Sequence, residues 1–132
     1  MRNKFLGTGE PGWNPLRKLG VAVAGLRFAV LSDFSVAYKV VLSAAVLLAT
    51  FIGHAWVDFI VVLVATGLML VAEIFNTAIE AICDFIEPRR DERIRAIKDV
   101  AAGATAVAIA VWALVLGYEA WRVVGRLLAG GW

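Results

Sequence analysis

The chain has 132 residues, of which 61% are hydrophobic and 18% charged, and this composition is too apolar for an ordinary soluble domain. The mean hydropathy of +0.82 predicts a membrane protein, and with a formal net charge of +2 no nucleic-acid partner is expected. Cys83 is the only cysteine, which excludes a disulfide framework and a cysteine-based zinc site within one chain. A few membrane spans account for these residues and leave no room among them for a separate soluble catalytic domain.

The N-terminal part of the chain changes character near residue 16. Residues 1–15 contain three glycines and two prolines and are predicted to form an irregular cytoplasmic tail. Apolar residues interrupted by Arg17, Lys18 and Arg27 follow over residues 16–31, and this pattern predicts an amphipathic helix at the level of the lipid headgroups. Asp33 ends the pattern and is suited to cap the next helix.

Three later stretches are long and apolar enough to cross a membrane: residues 36–53, 57–85 and 97–118. Lys39 lies near the start of the first span, where its ammonium group is expected to extend toward the interface. His54 belongs to a short turn, and Pro88 ends the second span. A basic extension that contains tryptophan, residues 119–132, follows on the outer side. The predicted fold is an all-α membrane protein with an N-terminal amphipathic surface helix and three transmembrane helices.

Residues 89–95, which connect the second and third spans, are rich in charge and are predicted to form a loop. In the third span, Ala102, Ala106 and Ala110, with Gly103 beside them, form a stripe of small residues that is typical of close helix packing.

Basic residues are distributed unevenly between the two ends of the predicted spans. One end has Arg2, Lys4, Arg17, Lys18, Arg27, Lys39, Arg89, Arg90, Arg93, Arg95 and Lys98, whereas the other has only Arg122 and Arg126. Because cytoplasmic loops carry the excess of Lys and Arg, the N-terminus is predicted to be cytoplasmic and the C-terminus outside.

Three acids and one amide share one face of the second span: Glu73, Asn76, Glu80 and Asp84. On a helix with about 100° per residue, they remain within a stripe about 80° wide. A charged side chain near the bilayer centre costs on the order of 2.5–3.5 kcal/mol or more, so a structural role alone seldom explains three acids. Glu73 is expected at the edge of the hydrocarbon, with Glu80 and Asp84 beyond it toward the cytoplasm. This stripe is the candidate functional site.

The stripe has suitable neighbours for phosphoryl transfer at the same membrane boundary, namely Asp33 before the first span and Lys98 and Asp99 at the start of the third. A carboxylate that is partly desolvated holds a proton more readily, which suits a general base. Carboxylates from two helices can hold magnesium together with phosphate oxygens, and a lysine supplies a positive charge for a polyphosphate. Positioning and charge neutralisation are most of what phosphoryl transfer requires. No Walker loop is present.

Two segments of this region are distinctive: Glu73-Ile-Phe-Asn76-Thr77-Ala-Ile-Glu80 with Asp84 after it, and Lys98-Asp99-Val-Ala-Ala-Gly103-Ala. A third, Gly25-Leu26-Arg27, precedes them. Together they resemble the signature of the small prokaryotic diacylglycerol kinase family, which includes undecaprenol kinases. The resemblance extends over roughly residues 16–118 and predicts a membrane lipid kinase domain there.

The resemblance implies a homotrimer in the bacterial cytoplasmic (inner) membrane, with active sites at the subunit boundaries. It also implies ATP-dependent phosphorylation of a lipid alcohol at the cytoplasmic face, with diacylglycerol converted to phosphatidic acid. Glu73 would be the general base, and Asp33 and Glu80 would bind Mg²⁺ and with it the nucleotide. The nucleotide would also contact Lys98 and Asp99. The remaining residues, which would order the site or contact substrate, are Asn76, Asp84 and Ala102.

The chain departs from the family pattern at four places, two of which are residues 34–37, in place of polar and basic residues, and Asn14 and Val21, in place of an arginine and a tyrosine of some members. Asp33 stands where the family usually has a glutamate, and residues 89–91 replace a segment that often resembles Glu-Tyr-His.

Undecaprenol is the alternative substrate to diacylglycerol. A less favoured alternative is a non-catalytic helical subunit whose acids bind a cation or a partner's basic helix. A proton- or cation-conducting oligomer ranks last, because it needs acids that reach across the bilayer, whereas the first span has none and the outer half of the second has none after Asp58 at its start.

Overall fold

A computed structural model of the protein describes residues 15–89 and 91–130, and within them it contains α-helices and no strands. The helices are α1 (Pro15–Ser32), α2 (Phe34–Ile52), α3 (Trp56–Ile86) and α4 (Glu92–Leu128). The first is short, and the other three are long and apolar enough to cross a membrane, so the predicted fold class is confirmed. The predicted tail lies outside the described residues, apart from Pro15, where α1 begins.

Local sequence chemistry sets the ends of α2 and α3. Asp33 is the N-cap of α2, and its carboxylate accepts a hydrogen bond from the Ser35 amide at 2.7 Å. The turn between α2 and α3 places His54 in the left-handed region, with φ of +53°, which is uncommon for a residue other than glycine. At the other end of α3, Glu87 is the C-cap, and Pro88 prevents the helix from continuing.

Helix α4 is longer than the predicted third span at both ends. The predicted loop is wrong from Glu92 onward, because Asp91 caps α4 and accepts hydrogen bonds from the amides of Arg93 at 2.7 Å and Ile94 at 3.3 Å. At the other end the helix continues through most of the predicted extension to Leu128. The connection between α3 and α4 is therefore short, and the charged side chains around it lie at the adjoining ends of these two helices.

The three long helices pack into one bundle, in which the α3–α4 contact is the most extensive and α2 lies against both. A small core unites Val62 and Met69 of α3 with Trp112 and Leu116 of α4. The indole of Trp112 donates a hydrogen bond to the Ser43 hydroxyl at 2.8 Å, which joins α4 to α2. Few side chains are fully buried, because three helices present most of their surface outward.

The outward surface is dominated by large apolar side chains, among them Phe34, Leu48, Val64, Phe75 and Leu114. Such a surface suits lipid, since each helix satisfies its backbone groups internally. Together with the three spanning helices, it is the surface of an integral membrane protein. This exterior, rather than a large core, accounts for the high hydropathy of the sequence.

The stripe of small residues does not form the α3–α4 contact. Ala102, Ala106 and Ala110 are exposed, whereas the neighbouring Ala101 and Thr105 are buried against α3. The Thr105 hydroxyl lies within hydrogen-bonding distance of a carbonyl on α3, at 3.2 Å. The prediction that the stripe mediates helix packing is thus wrong within one chain, where an adjacent face of α4 is used instead.

Candidate functional site

Burial decreases steadily along the acidic stripe of α3, as expected for a helix that leaves the hydrocarbon. Glu73 is buried with 8% exposure, Asn76 is half-buried, and Glu80 and Asp84 are exposed. The rise of about 1.5 Å per residue places Asp84 about 16 Å from Glu73 along the helix axis. The stripe therefore extends from the apolar interior of the bundle to its charged end.

Glu73 forms a buried ion pair with Lys39 of α2. The ammonium nitrogen Nζ of Lys39 donates a hydrogen bond to Glu73 Oε1 and another to the Ser35 hydroxyl at 2.7 Å. Lys39 is only 2% exposed, so the expectation that it extends to the interface is wrong. A lipid-facing position would favour snorkelling, but this face of α2 packs against α3, where a carboxylate is within reach.

Asn76 and Glu80 form the second contact of the stripe. The Asn76 amide nitrogen donates a hydrogen bond to Glu80 Oε1 at 2.8 Å, one helical turn away. The other amide atom, Asn76 Oδ1, is buried and has no hydrogen-bond partner among the described residues. Asn76 thus orients the Glu80 carboxylate through its amide nitrogen, and its amide oxygen is a buried acceptor.

Asp84 pairs with Lys98 of α4. The ammonium group of Lys98 donates to Asp84 Oδ1 at 2.5 Å, and this contact ties the end of α3 to the start of α4. Asp99 is exposed and lies 3.8 Å from the guanidinium of Arg95. The predicted nucleotide contacts are therefore adjacent, and each has a partner of opposite charge.

These groups line an open cavity of about 800 Å³ at the α3–α4 connection. Its lining comprises acids, cations and two uncharged residues: Asp84, Glu87, Asp91, Glu92, Asp99, Arg89, Arg95, Lys98, Pro88 and Ile94. Hydrogen bonds from the Arg93 amide, the Arg93 guanidinium and the Ile94 amide hold the pKa of Asp91 below its usual value. The cavity is large enough for a small phosphorylated ligand.

Of the eight predicted site residues, three line this cavity in the single chain, namely Asp84, Lys98 and Asp99. Asp33 is exposed and caps α2, and no contact joins it to Glu80 among the described residues. Ala102 is exposed on α4, one turn beyond Lys98. The acidic stripe of α3 therefore leads from the buried Glu73 to the cavity that contains Lys98 and Asp99, whereas Asp33 and Ala102 face outward.

Carboxylate oxygens are suitable ligands for magnesium, but the described carboxylates do not form a complete metal site on their own. No group of three His, Cys, Asp or Glu side chains able to hold a metal occurs in the part of the chain that the structure describes. Magnesium usually takes one or two carboxylates and completes its shell with water and phosphate oxygens, so such a site is not required. Glu80 is exposed and oriented by Asn76, which fits a ligand that shares the ion with a phosphate.

Comparison with known protein families gives one result that covers most of the chain. The model of the prokaryotic diacylglycerol kinase family matches residues 20–118, which is three quarters of the sequence. The chain belongs to this family. Comparisons with the curated proteins and with the solved structures find no match.

Membership of the prokaryotic diacylglycerol kinase family supports a small membrane lipid kinase. The matched range begins in α1 and ends in α4, and it includes every candidate residue from Asp33 to Ala102. Glu73, Glu80 and Lys98 therefore all belong to the part of the chain that the family model matches.

The sequence analysis missed Lys39 as a member of this site. A signal was present, because Ser35, Lys39, Ser43 and Thr50 are spaced by four, four and seven residues and share one face of α2. Polar groups in such register inside a span indicate a helix face that packs against protein rather than lipid. That face is the one that contacts Glu73 and Trp112.

Proposed function

We propose that this protein transfers the γ-phosphoryl group of ATP to the hydroxyl of a membrane lipid alcohol at the cytoplasmic face of the inner membrane. The observation that carries the proposal is the single helix face that joins a buried carboxylate, Glu73, to a polar cavity lined by Asp84 and Lys98. A lipid hydroxyl can approach from the apolar side and a nucleotide from the aqueous side. We favour diacylglycerol, with phosphatidic acid as the product, because the family is named for that substrate.

In the proposed reaction Glu73 acts as the general base. It takes the proton of the lipid hydroxyl as the alcohol oxygen attacks the γ-phosphorus and the bond to ADP breaks. Glu73 then returns the proton to water. Its position in the apolar part of the bundle excludes most water, which limits transfer of the phosphoryl group to water instead of lipid.

Lys98 and Asp99 are proposed to contact the nucleotide in the cavity. Five acids and three cations line the cavity, which gives a formal charge of −2, and this balance disfavours a bare polyphosphate. Asp33 and Glu80 would hold Mg²⁺, which neutralises phosphate charge when it is bound. Asn76 would support this arrangement by orienting Glu80, and Asp84 by orienting Lys98.

We also propose a homotrimer in which neighbouring chains complete each site. The number of three chains rests on the family resemblance, and two observations support association of chains: Asp33 has no contact with Glu80 among the described residues of one chain, and the small residues Ala102, Ala106 and Ala110 are exposed. Small residues allow helices to approach closely in a membrane. The distribution of Lys and Arg supports a cytoplasmic N-terminus and an outer C-terminus.

The test is a kinase assay on the purified full chain in lipid vesicles, with magnesium ATP and either diacylglycerol or undecaprenol. We expect phosphate transfer to diacylglycerol, and Glu73→Gln should lower kcat by about 10²–10⁴-fold because the base is lost. Faster transfer to undecaprenol would reassign the substrate within the same family. Absence of transfer to both alcohols would refute the kinase proposal and favour a non-catalytic subunit.

A further inference from the structure

The Lys39–Glu73 pair is the most deeply buried ion pair among the described residues, with side-chain exposures of 3% and 10%. The Lys39 ammonium group also donates to the Ser35 hydroxyl at 2.7 Å and lies 5.6 Å from the centre of the Tyr38 ring. Three features therefore surround the charge of Lys39, namely a carboxylate, a hydroxyl and an aromatic face. Such a surrounding holds the ammonium group in one place.

Stability alone is a weak explanation for this pair. Desolvation of two buried charges offsets most of their attraction, and well-packed apolar residues at the same positions are often equally stable or more so. Apolar side chains are already buried about one turn from both positions, since Val36 precedes Lys39 on α2 and Met69 precedes Glu73 on α3. The presence of a lysine instead points to a role connected with Glu73.

The pairing solves a chemical problem for a base in an apolar environment. A carboxylate that is buried without a partner favours its neutral, protonated form, and a protonated acid cannot accept another proton. The ammonium group of Lys39 stabilises the ionised form and binds only Oε1, which leaves Oε2 as the acceptor. The contact also joins α2 to α3 and so restrains the direction in which the carboxylate points.

We propose that Lys39 is a positioning residue of the lipid kinase, which keeps Glu73 ionised and oriented so that Oε2 accepts the proton of the lipid hydroxyl. The proposal rests on the kinase function proposed above. In the step concerned, the alcohol O–H bond breaks and its proton binds Oε2. The alcohol oxygen forms a bond to the γ-phosphorus, and ADP leaves with the electrons of the broken P–O bond.

The first test compares kinetic constants of Lys39→Met and Lys39→Gln with those of Thr50→Val. Thr50 is a matched control, because it is buried on the same face of α2 but its hydroxyl bonds only to carbonyls of its own helix. We expect kcat to fall at least about tenfold in both Lys39 variants, with KM for ATP and lipid within about twofold, because a mispositioned base affects the chemical step. Lys39→Arg should recover part of kcat, since it retains the charge.

Folding is measured on each variant by circular dichroism and gel filtration, and kcat is expressed per folded protein. A merely structural lysine would lower the folded fraction without lowering kcat per folded molecule. Unchanged kcat in folded Lys39→Gln would overturn the proposal, even if Lys39→Met fails to fold.

The second test does not depend on kinase activity. Dicyclohexylcarbodiimide is an apolar reagent that modifies protonated carboxyl groups, and mass spectrometry of the full chain in vesicles locates the modified residue. We expect Glu73 to be labelled several-fold more in Lys39→Gln than in the wild type or Thr50→Val, with no label at this position in Glu73→Gln. Equal labelling in the wild type and Lys39→Gln would overturn the proposed control of ionisation. If the wild type has no kinase activity, the kinase function is refuted. Increased labelling of Glu73 in Lys39→Gln would still support the proposed effect of Lys39 on the ionisation of Glu73.

Discussion

Glu73, Glu80 and Asp84 differ in their hydrogen-bond donors, although they lie on one face of α3. Glu73 is paired with an ammonium group inside the bundle, Glu80 with an amide, and Asp84 with an ammonium group at the surface. A charged donor stabilises a carboxylate more than a neutral donor does, so the electrostatic environments of the three acids differ. Of these three acids, only Glu73 combines charge pairing with burial, which is consistent with the role of general base proposed for it.

Lys98 provides a prediction at the residue scale. Lys98→Ala should raise KM for ATP by roughly 10–100-fold with a smaller change in kcat, because a charged contact to phosphate is lost. Initial rates at varied ATP concentration measure the change. Arg93→Ala is the matched control, since Arg93 is also a basic residue near the start of α4 but does not line the cavity. An unchanged KM in Lys98→Ala would remove Lys98 from the nucleotide site.

The shared helix face of the candidate residues on α3 was predictable from the sequence, but their contacts were not. Spacing placed Glu73, Asn76, Glu80 and Asp84 on one face, and the structure shows that face. Spacing within α3 carries no information about α2, so the contact between Glu73 and Lys39 could not be derived from it. The polar face of α2 was present in the sequence, but only a packed bundle shows which helix it meets.

At the scale of elements, the ends of helices were predictable where a cap or a proline marked them. Asp33 and Pro88 fall at observed boundaries for that reason. The predicted start of α4 is wrong, because the charge density of residues 89–95 indicates a loop, whereas the Asp91 carboxylate caps a helix there. The end of α4 was misplaced because its final turns have a mixed composition that neither periodicity nor hydropathy resolves.

Asp91 gives a prediction about the first turn of α4. The lowered pKa of Asp91 means that its ionised cap stabilises the folded turn above its ordinary pKa of about 3.9, and that this contribution is lost as the pH falls through the lower folded value. Asp91→Ala should therefore reduce hydrogen-exchange protection of the Arg93 and Ile94 amides at pH 7. The difference from the wild type should begin to shrink below about pH 4 and should disappear below the lowered pKa, where the folded wild-type carboxylate becomes protonated.

Mass spectrometry with correction for intrinsic exchange measures this protection. Glu92→Gln removes the neighbouring charge but leaves the capping carboxylate, so it should retain the protection seen in the wild type. A difference between the wild type and Asp91→Ala that is equally large at pH 7 and at pH 3 would contradict the role of the ionised cap.

The whole molecule has a different charged network at each end of the bundle. The end of the bundle that is proposed to bind the nucleotide contains the cavity at the α3–α4 connection, where the ion pairs are exposed. At the opposite end Asp58, at the start of α3, accepts hydrogen bonds from Arg122 at 2.7 Å and Arg126 at 3.3 Å. Arg122 also lies 3.5 Å from the buried Glu119. Arg122 and Arg126 are one turn apart, so both can bind one carboxylate.

The Asp58 network predicts that stability and catalysis can be separated. Asp58→Asn removes the carboxylate that Arg126 binds and leaves Arg122 only the longer contact to Glu119, so the unfolding temperature in vesicles should fall by roughly 3–6 °C. Asp58 lies about 22 Å from Glu73 along α3, so kcat and KM of the folded enzyme should remain within about twofold of the wild type. Arg122→Met should lower the unfolding temperature similarly, and the double variant should lose less than the sum because both single changes remove the same contact. A change in KM for ATP in Asp58→Asn would show instead that the two ends of the bundle are coupled.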